Sequence, residues 1–332
     1  MFMILALSTT YDLLQLFFKR RLSGQHDLLT VSMWHEFHKP PYGGGNQFFL
    51  ALKKAFEDRG LLVVNNILSP LVDIHICNSA WFDVDRFERL SRKFPIKMIH
   101  RIDGPVGLYR GDGMEEDEKI HRLNKQFASA TVYQSGYCRD KSRELGLEAV
   151  RPVIISNSVN EEIFHDRDRI PYSPNRKIKL MSAAWSDNPL KGGPLFKWLD
   201  EHLDWNRFEY TFVGRVKQEF KNINHIPPQD SKNLALMLRQ HDIFISGSRH
   251  EPCSNALLEG LSCGLPALYR NEGGNQELVG EGGISFEGEG DILEKLDCLI
   301  DDYKRYREAV KANTMEEIAG QYIALIKDII NK

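Results

Sequence analysis

From about residue 27 onward, short β-type runs alternate with longer segments of helical periodicity, a pattern that admits little besides an α/β architecture with parallel strands. Leu28–Met33, Leu61–Val64, Asp73–Cys77, Lys97–Ile102 and Thr131–Tyr133 read as strands, with helices expected near 47–59, 83–93, 115–128 and 136–145. In Gln47–Arg59, Phe48, Leu52, Ala55 and Phe56 share one helical face, while Lys53, Lys54, Glu57 and Asp58 occupy the other. Asn160–Arg176 then breaks the pattern with charge, two prolines and no periodicity, as a linker does. A second series follows, with strands at Ile178–Ala183, Tyr210–Val213, Asp242–Ser246 and Pro266–Tyr269 and helices near 194–203, 231–240 and 254–263. The remainder is helical by pattern, Leu293, Leu296, Leu299 and Ile300 on one helix and Tyr322, Ile323, Leu325, Ile326 and Ile329 on another. The expected division is an extension over 1–27, a first domain over 28–165, a second over 166–310, and a helix over 311–332 packing back on the first. Two such domains in tandem imply a cleft between them.

Charge narrows the partners. Forty-three Lys and Arg against 46 Asp and Glu leave a net charge of −3, which argues against a general nucleic-acid binder. The five cysteines are scattered without a C-x-x-C pair, so neither a disulfide framework nor a zinc site is expected, and a reducing cytoplasm fits. The apolar N-terminus, MFMILALSTTYDLLQLFF, contains Asp12 and several polar residues, short of the ~20 predominantly apolar residues a membrane span needs. It also lacks the basic leading region and cleavage site of a secretory signal. Residues 11–22 form a basic amphipathic segment, with Leu13, Leu14, Phe17 and Phe18 on one face and Lys19, Arg20 and Arg21 following. It suits either peripheral contact with an anionic membrane or packing on the domain surface.

Ligands of open parallel sheets bind beyond the carboxyl ends of strands, so residues just after strands are the place to look for chemistry. No G-x-G-x-x-G or G-x-x-x-x-G-K-[ST] follows any expected strand, which disfavours dinucleotide enzymes and P-loop ATPases. Pro40–Asn46 (PPYGGGN) offers glycine amides at a helix N-terminus, suited to an anion; a flexible turn is the plain alternative. Ser182–Gly193 (SAAWSDNPLKGG) places Lys191 after a strand, either as a phosphate-binding point charge or as a solvated loop lysine.

Ser246–Pro266 (SGSRHEPCSNALLEGLSCGLP) is more specific. Glu251 falls in the loop before a helix opened by Ser254 and Asn255, whose free N–H groups suit phosphate. Glu259 follows within that helix, among Ala256, Leu257, Leu258 and Leu261, so it is not a merely solvated charge. Carboxylates accept hydrogen bonds from vicinal hydroxyls, and two in this setting read as ligands for a sugar or ribose. For Glu251 the alternative is simple complementation of the helix dipole. Asn271–Leu278 (NEGGNQEL) reads as a second anion cradle, Gly273 and Gly274 preceding a short helix with Glu277 inside it. His100–Gly104 (HRIDG) ends a strand and brings Asp103 toward the cleft or merely into a turn.

Taken together, these stretches resemble the retaining nucleotide-sugar glycosyltransferases of glycosyltransferase family 4. Glu251-x7-Glu259 with its continuation LSCGLPALYRNEGGNQELVGEGG is similar to that family's most diagnostic motif, and GGGNQFFLALKKAFEDRG to its first loop and helix. IISNSVNEEIF is similar to its linker motif, with Ser158 where glycine is usual. The resemblance implies a GT-B fold, two Rossmann-like parallel-sheet domains facing a central cleft, the first on the acceptor side and the second on the donor side. It also implies transfer of a sugar from a nucleotide diphosphate to a hydroxyl of a glycan or lipid-linked acceptor, with retention, no metal and no cofactor. By that pattern Lys191 and the amides of Gly44 and Gly45 contact the donor diphosphate, Glu259 the ribose and Glu251 the transferred sugar. Ser254, Asn255, Gly273 and Gly274 belong to the same donor site.

The chain departs from the pattern in three places. The arginine common before the Lys-Gly pair is replaced by Trp185 and Ser186, with Arg215 as a candidate substitute; the first-domain histidine is replaced by Asp103; and residues 1–27 have no counterpart. A GT-B nucleotide-sugar epimerase and a catalytically weak nucleotide-sugar-binding protein are the alternatives. The expected location is cytoplasmic, with peripheral contact on the inner face of a membrane through residues 11–22.

Overall fold

The computed structural model describes residues 11, 14, 16–18, 29–39, 43–111 and 113–332. Leu28, Leu13, most of the basic segment and Pro40–Tyr42 lie outside them. The first half runs β1 (Thr30–Trp34), α1 (Gly44–Asp58), β2 (Leu62–Asn65), β3 (Ile74–Asn78), α2 (Val84–Ser91), β4 (Met98–Ile102), α3 (Val106–Arg110), α4 (Glu115–Phe127), β5 (Ala130–Tyr133), α5 (Gly136–Glu144) and β6 (Pro152–Ile154). The second runs β7 (Ile178–Ala184), a 3-10 turn (Pro189–Lys191), α6 (Gly193–His202), β8 (Phe208–Gly214), β9 (Asn224–Ile226), α7 (Ser231–Leu238), β10 (Ile243–Ser246), α8 (Asn255–Ser262), β11 (Ala267–Arg270), α9 (Asn275–Val279) and β12 (Gly283–Phe286). Three helices close the chain: α10 (Ile292–Asp301), α11 (Tyr303–Ala309) and α12 (Met315–Ile330).

Every strand pair is parallel, in two six-stranded sheets of order β2-β1-β3-β4-β5-β6 and β12-β11-β10-β7-β8-β9. The central strands are buried on both faces, so β1 (TVSMW) and β3 (IHICN) show no alternation, as helix-covered parallel sheets require. Three strands have no counterpart in the sequence reading: β6, β9 and β12. They are edge or near-edge strands of three or four residues, partly exposed, and too short to leave an apolar run.

Each sheet reverses its strand order once. In the first the reversal lies between β1 and β3, in the second between β7 and β10. The loops leaving these four strands diverge above the sheet and open a crevice beyond its carboxyl edge.

The last helix returns to the first domain. Thr314 caps α12, its hydroxyl accepting from Glu317 N–H while the Glu317 carboxylate accepts from Thr314 N–H. Ile318, Ala319, Tyr322 and Ile326 then pack among Phe48, Phe49, Leu52 and Phe56 of α1 and the apolar face of the first sheet. Tyr322 lies 6.3 Å from Phe56, ring to ring, and Lys97 Nζ donates to the carbonyls of Ile329 and Ile330 at 2.9 and 2.8 Å. This places the chain's end in the core of the first domain, remote in sequence from the residues it covers.

Candidate active site

The two crevices face each other and merge into a cleft of about 420 Å³. His35 and Glu36 enter it after β1, Trp81 after β3, Trp185, Ser186 and Lys191 after β7, and Ser248 and Glu251 after β10. Of the residues expected at the site, Gly44, Gly45, Asp103, Lys191, Glu251, Ser254, Asn255 and Glu259 all line this cleft.

Lys191 ends the 3-10 turn. Asn188 Oδ1 opens that turn by accepting from Leu190 N–H at 2.9 Å, and Gly192 closes it at φ +99°. A Cβ at Gly192 would also meet the Gly247 backbone at 2.8 Å, so only glycine lets the loops after β7 and β10 touch. That contact brings the Lys191 ammonium into an ion pair with the Glu251 carboxylate.

Glu251 is held from behind. Gly274 N–H donates to its carbonyl at 2.8 Å, and a Cβ at Gly273 would collide with its backbone at 2.4 Å. Gly273 and Gly274 thus buttress Glu251 and do not line the cleft. Glu277 has a different task from the anion cradle expected of its loop: its carboxylate accepts from the N–H groups of Gly136 and Tyr137 at 2.7 and 2.8 Å, capping α5 of the opposite domain. Arg215 also stays outside the lining, its guanidinium stacked 4.2 Å from the Trp185 ring.

At the start of α8 the Ser254 hydroxyl accepts from Leu257 N–H at 3.3 Å, and the Asn255 side-chain carbonyl accepts from Asn157 Nδ2 of the first domain at 3.0 Å. Glu259, just over one turn along, borders the main cleft and a smaller one of about 120 Å³ shared with Gln47 and Ser231. Its carboxyl has no side-chain hydrogen-bond partner among the described residues, and burial raises its pKa to about 8. Such a group lacks hydrogen-bond donors, which vicinal hydroxyls would supply.

On the first-domain side Asp103 is fixed by residues that spacing gave no reason to select. Arg101, fully buried beneath the Phe48 ring at 4.7 Å, and Gln134 both donate to Asp103 Oδ1, while Asp103 N–H donates to Ser79 Oγ at 2.9 Å. Asp103 Oδ2 is left beside Gly45, 3.9 Å from where a Cβ there would stand. Arg101 also donates to Asn157 Oδ1 at 2.8 Å, so its network continues through Asn157 to Asn255 across the domain seam. The signal for Asn157 was present in ISNSV, but nothing local marks it as a bridge.

Gly44 works at the same seam: a Cβ there would stand 2.1 Å from Asn255 Nδ2. Its lack of a side chain serves the approach of the domains, whatever its amide does for a ligand.

Residues 212–316 match the family described as Glycosyl transferases group 1. The Escherichia coli protein WbnH, an O-antigen biosynthesis glycosyltransferase, is 31% identical over an alignment covering 88% of this chain and 86% of its own. The chain belongs to the group 1 glycosyltransferases. It is a glycosyltransferase, and the epimerase and binding-protein alternatives give way to that reading. WbiN of the same organism, a probable O-antigen biosynthesis glycosyltransferase, matches to the same extent. Among solved structures, sucrose-phosphate synthase from Thermosynechococcus elongatus superposes with a TM-score of 0.72 at 15% identity, over 91% of this chain and 99% of its own. Anabaena HepE, in complex with UDP and glucose, does so with a TM-score of 0.62 at 14% identity, over 92% and 98%. The fold is GT-B.

Two predictions follow from this geometry. Gly44→Ala should lower turnover by about a hundredfold through displacement of the domains, with circular dichroism unchanged; full turnover in that variant would remove the seam contact from the account. Stability should peak near pH 6.5. His35, His75 and His100, held neutral by burial to about 4, 3 and 4 from an ordinary 6.5, bind fewer protons folded than unfolded, so their contribution is lost as pH falls from 6.5 toward 4. Glu259 retains its proton to about pH 8 when folded but loses it near an ordinary 4.5 when unfolded, so its contribution is lost as pH rises from 4.5 to 8; above 6.5, where the histidines no longer offset it, net stability declines. Melting curves across pH 4–9 should show both limbs, and Glu259→Gln should flatten the upper one.

Proposed function

We propose that the chain is a retaining, family 4 glycosyltransferase that moves a sugar from a nucleoside-diphosphate donor to a hydroxyl of a glycan acceptor without a metal. The observation that carries this reading is the convergence of Lys191, the N-terminus of α8 and the unpartnered carboxyl of Glu259 on one cleft. Lys191 and the α8 amides suit the donor diphosphate, the Gly44 and Gly45 amides adding to them at the first turn of α1. Glu259 suits the ribose hydroxyls, and Glu251 the transferred sugar. Asp103, with one oxygen saturated by Arg101 and Gln134, directs the other toward a hydroxyl near the reacting centre.

The chemistry proposed breaks the bond from the anomeric carbon to the diphosphate oxygen and forms one to the acceptor oxygen on the same face. The acceptor proton passes to the leaving phosphate, so no protein nucleophile is needed, and the protein supplies orientation and stabilisation of the departing charge. Donor arrival would exchange the Lys191 ion pair: the ammonium turns to phosphate and Glu251 is freed for the sugar. The E. coli relatives are named for O-antigen biosynthesis, which supports an O-antigen glycan as the product class.

The expected outcome, with a donor found by thermal shift against UDP-, GDP- and ADP-sugars, is that Lys191→Ala and Glu259→Ala each lower transfer about a hundredfold. Excess EDTA should leave the rate unchanged, and NMR of the product should show the donor's anomeric configuration. Undiminished transfer in either variant, inversion, or loss of activity with EDTA would each refute its part of the reading.

We also propose contact with an anionic membrane surface through residues 11–22. Leu16 is buried against Val64 and Ile67, while Tyr11, Leu14, Phe17 and Phe18 are exposed, and Lys19, Arg20 and Arg21 follow in sequence. No helix among the described residues is long and apolar enough to cross a membrane. Sedimentation with vesicles containing anionic lipid should carry the protein down, and a Phe17→Ser, Phe18→Ser double variant should stay in solution; equal sedimentation of the two would exclude this contact.

A further inference from the structure

Among the described residues, the cleft holds one cation without a carboxylate partner. Among the described residues, three lysines or arginines line the cleft: Arg101, Lys191 and Arg110. Arg101 is buried and paired with Asp103, and Lys191 is paired with Glu251. Arg110 is exposed, rests its guanidinium 4.3 Å from the centre of the Trp81 ring, and has no carboxylate within ion-pair distance among the described residues.

Its position is set by both domains. Val106 and Gly107 N–H groups donate to the Asp117 carboxylate at 2.7 and 2.8 Å, which fixes α3. The Arg110 carbonyl accepts from Asn188 Nδ2 at 2.9 Å, and Lys191 Nζ lies 5.8 Å from the ring of the preceding Tyr109. The end of α3 therefore lies against the very turn that carries Lys191.

Resting on the proposed nucleotide-sugar reading, we propose that Arg110, delivered by the first domain, is the second cation for the donor diphosphate. A nucleotide-sugar diphosphate carries two negative charges, and a further one develops on the terminal phosphate as the glycosidic bond breaks. Lys191 supplies one positive charge beside the opposing Glu251. Trp185 and Ser186 supply none, and Arg215 lies outside the lining. Arg110 brings a planar fork able to donate two parallel hydrogen bonds to phosphate oxygens, with one face already covered by an indole. A cation on one domain that holds the ligand of the other also makes donor binding favour the closed cleft.

Phosphate on an acceptor could occupy the same cation, so the test separates the two sources. Calorimetric titration of the full chain with UDP, GDP and ADP, and with the corresponding monophosphates, reads the terminal phosphate alone. Arg110→Gln should weaken the preferred diphosphate by roughly tenfold, leave its monophosphate within about twofold, and be partly restored by Arg110→Lys. Unchanged diphosphate affinity in Arg110→Gln overturns the proposal, and a raised acceptor KM in that same variant assigns the arginine to the acceptor instead. Equal losses for diphosphate and monophosphate overturn it as well, because the contact would then not be with the terminal phosphate. A wild-type chain that binds none of the six nucleotides overturns the nucleotide-donor reading beneath it, a result distinct from failure at Arg110.

Discussion

A guanidinium sealed inside a protein needs pairing and hydrogen bonds, and the two Nη atoms of Arg101 find them on Asn78, Asp103 and Asn157, while its buried Nε has no partner among the described residues. Each of those partners has a second duty. Asn78 also approaches His35 Nδ1 at 3.3 Å, Asp103 faces Gly45, and Asn157 reaches Asn255 of the other domain. One buried charge thereby fixes the polar floor of the cleft and one bridge across it. Ser135, donating to the Pro252 carbonyl at 2.7 Å, and Glu277, capping α5, add further bridges nearby. The seam beside the site is polar throughout these contacts, of the kind that exchanges readily with solvent when domains separate.

The cleft shows how a site can hold charges in readiness. Glu251 neutralises Lys191, and Glu259 carries its own proton near neutral pH because burial disfavours the anion. Both arrangements lower the cost of leaving the site without substrate. On the proposed reading a donor diphosphate would displace Glu251 from Lys191, and hydroxyl donors would favour the anion of Glu259.

Much of this was legible from residue order. The β-strand and helix alternation pointed to both sheets, because central parallel strands are near-continuous apolar runs; strand ends marked Asp103, Lys191 and Glu251, and a carboxylate among apolar helix residues marked Glu259, all of which line the cleft. The edge strands β6, β9 and β12 were not legible, being short and half-wetted. Nor was the use of Gly273, Gly274 and Glu277. A glycine pair before a helix looks the same whether it cradles an anion or braces a neighbouring loop, and a glutamate's partner 140 residues away leaves no local trace. Arg101 sits in MIHRI, where nothing in the spacing says that its guanidinium turns inward.

The return of α12 to the first domain has a consequence for how the chain is made. Residues 315–330 follow the whole second sheet in sequence yet complete the apolar core around α1. On the ribosome the second domain has every strand in hand before that helix emerges, whereas the first, though synthesised earlier, waits with Phe48, Leu52 and Phe56 uncovered. The order in which the two cores can be completed thus runs against the order of synthesis, and α12 is the segment that ties the end of the second half to the core of the first.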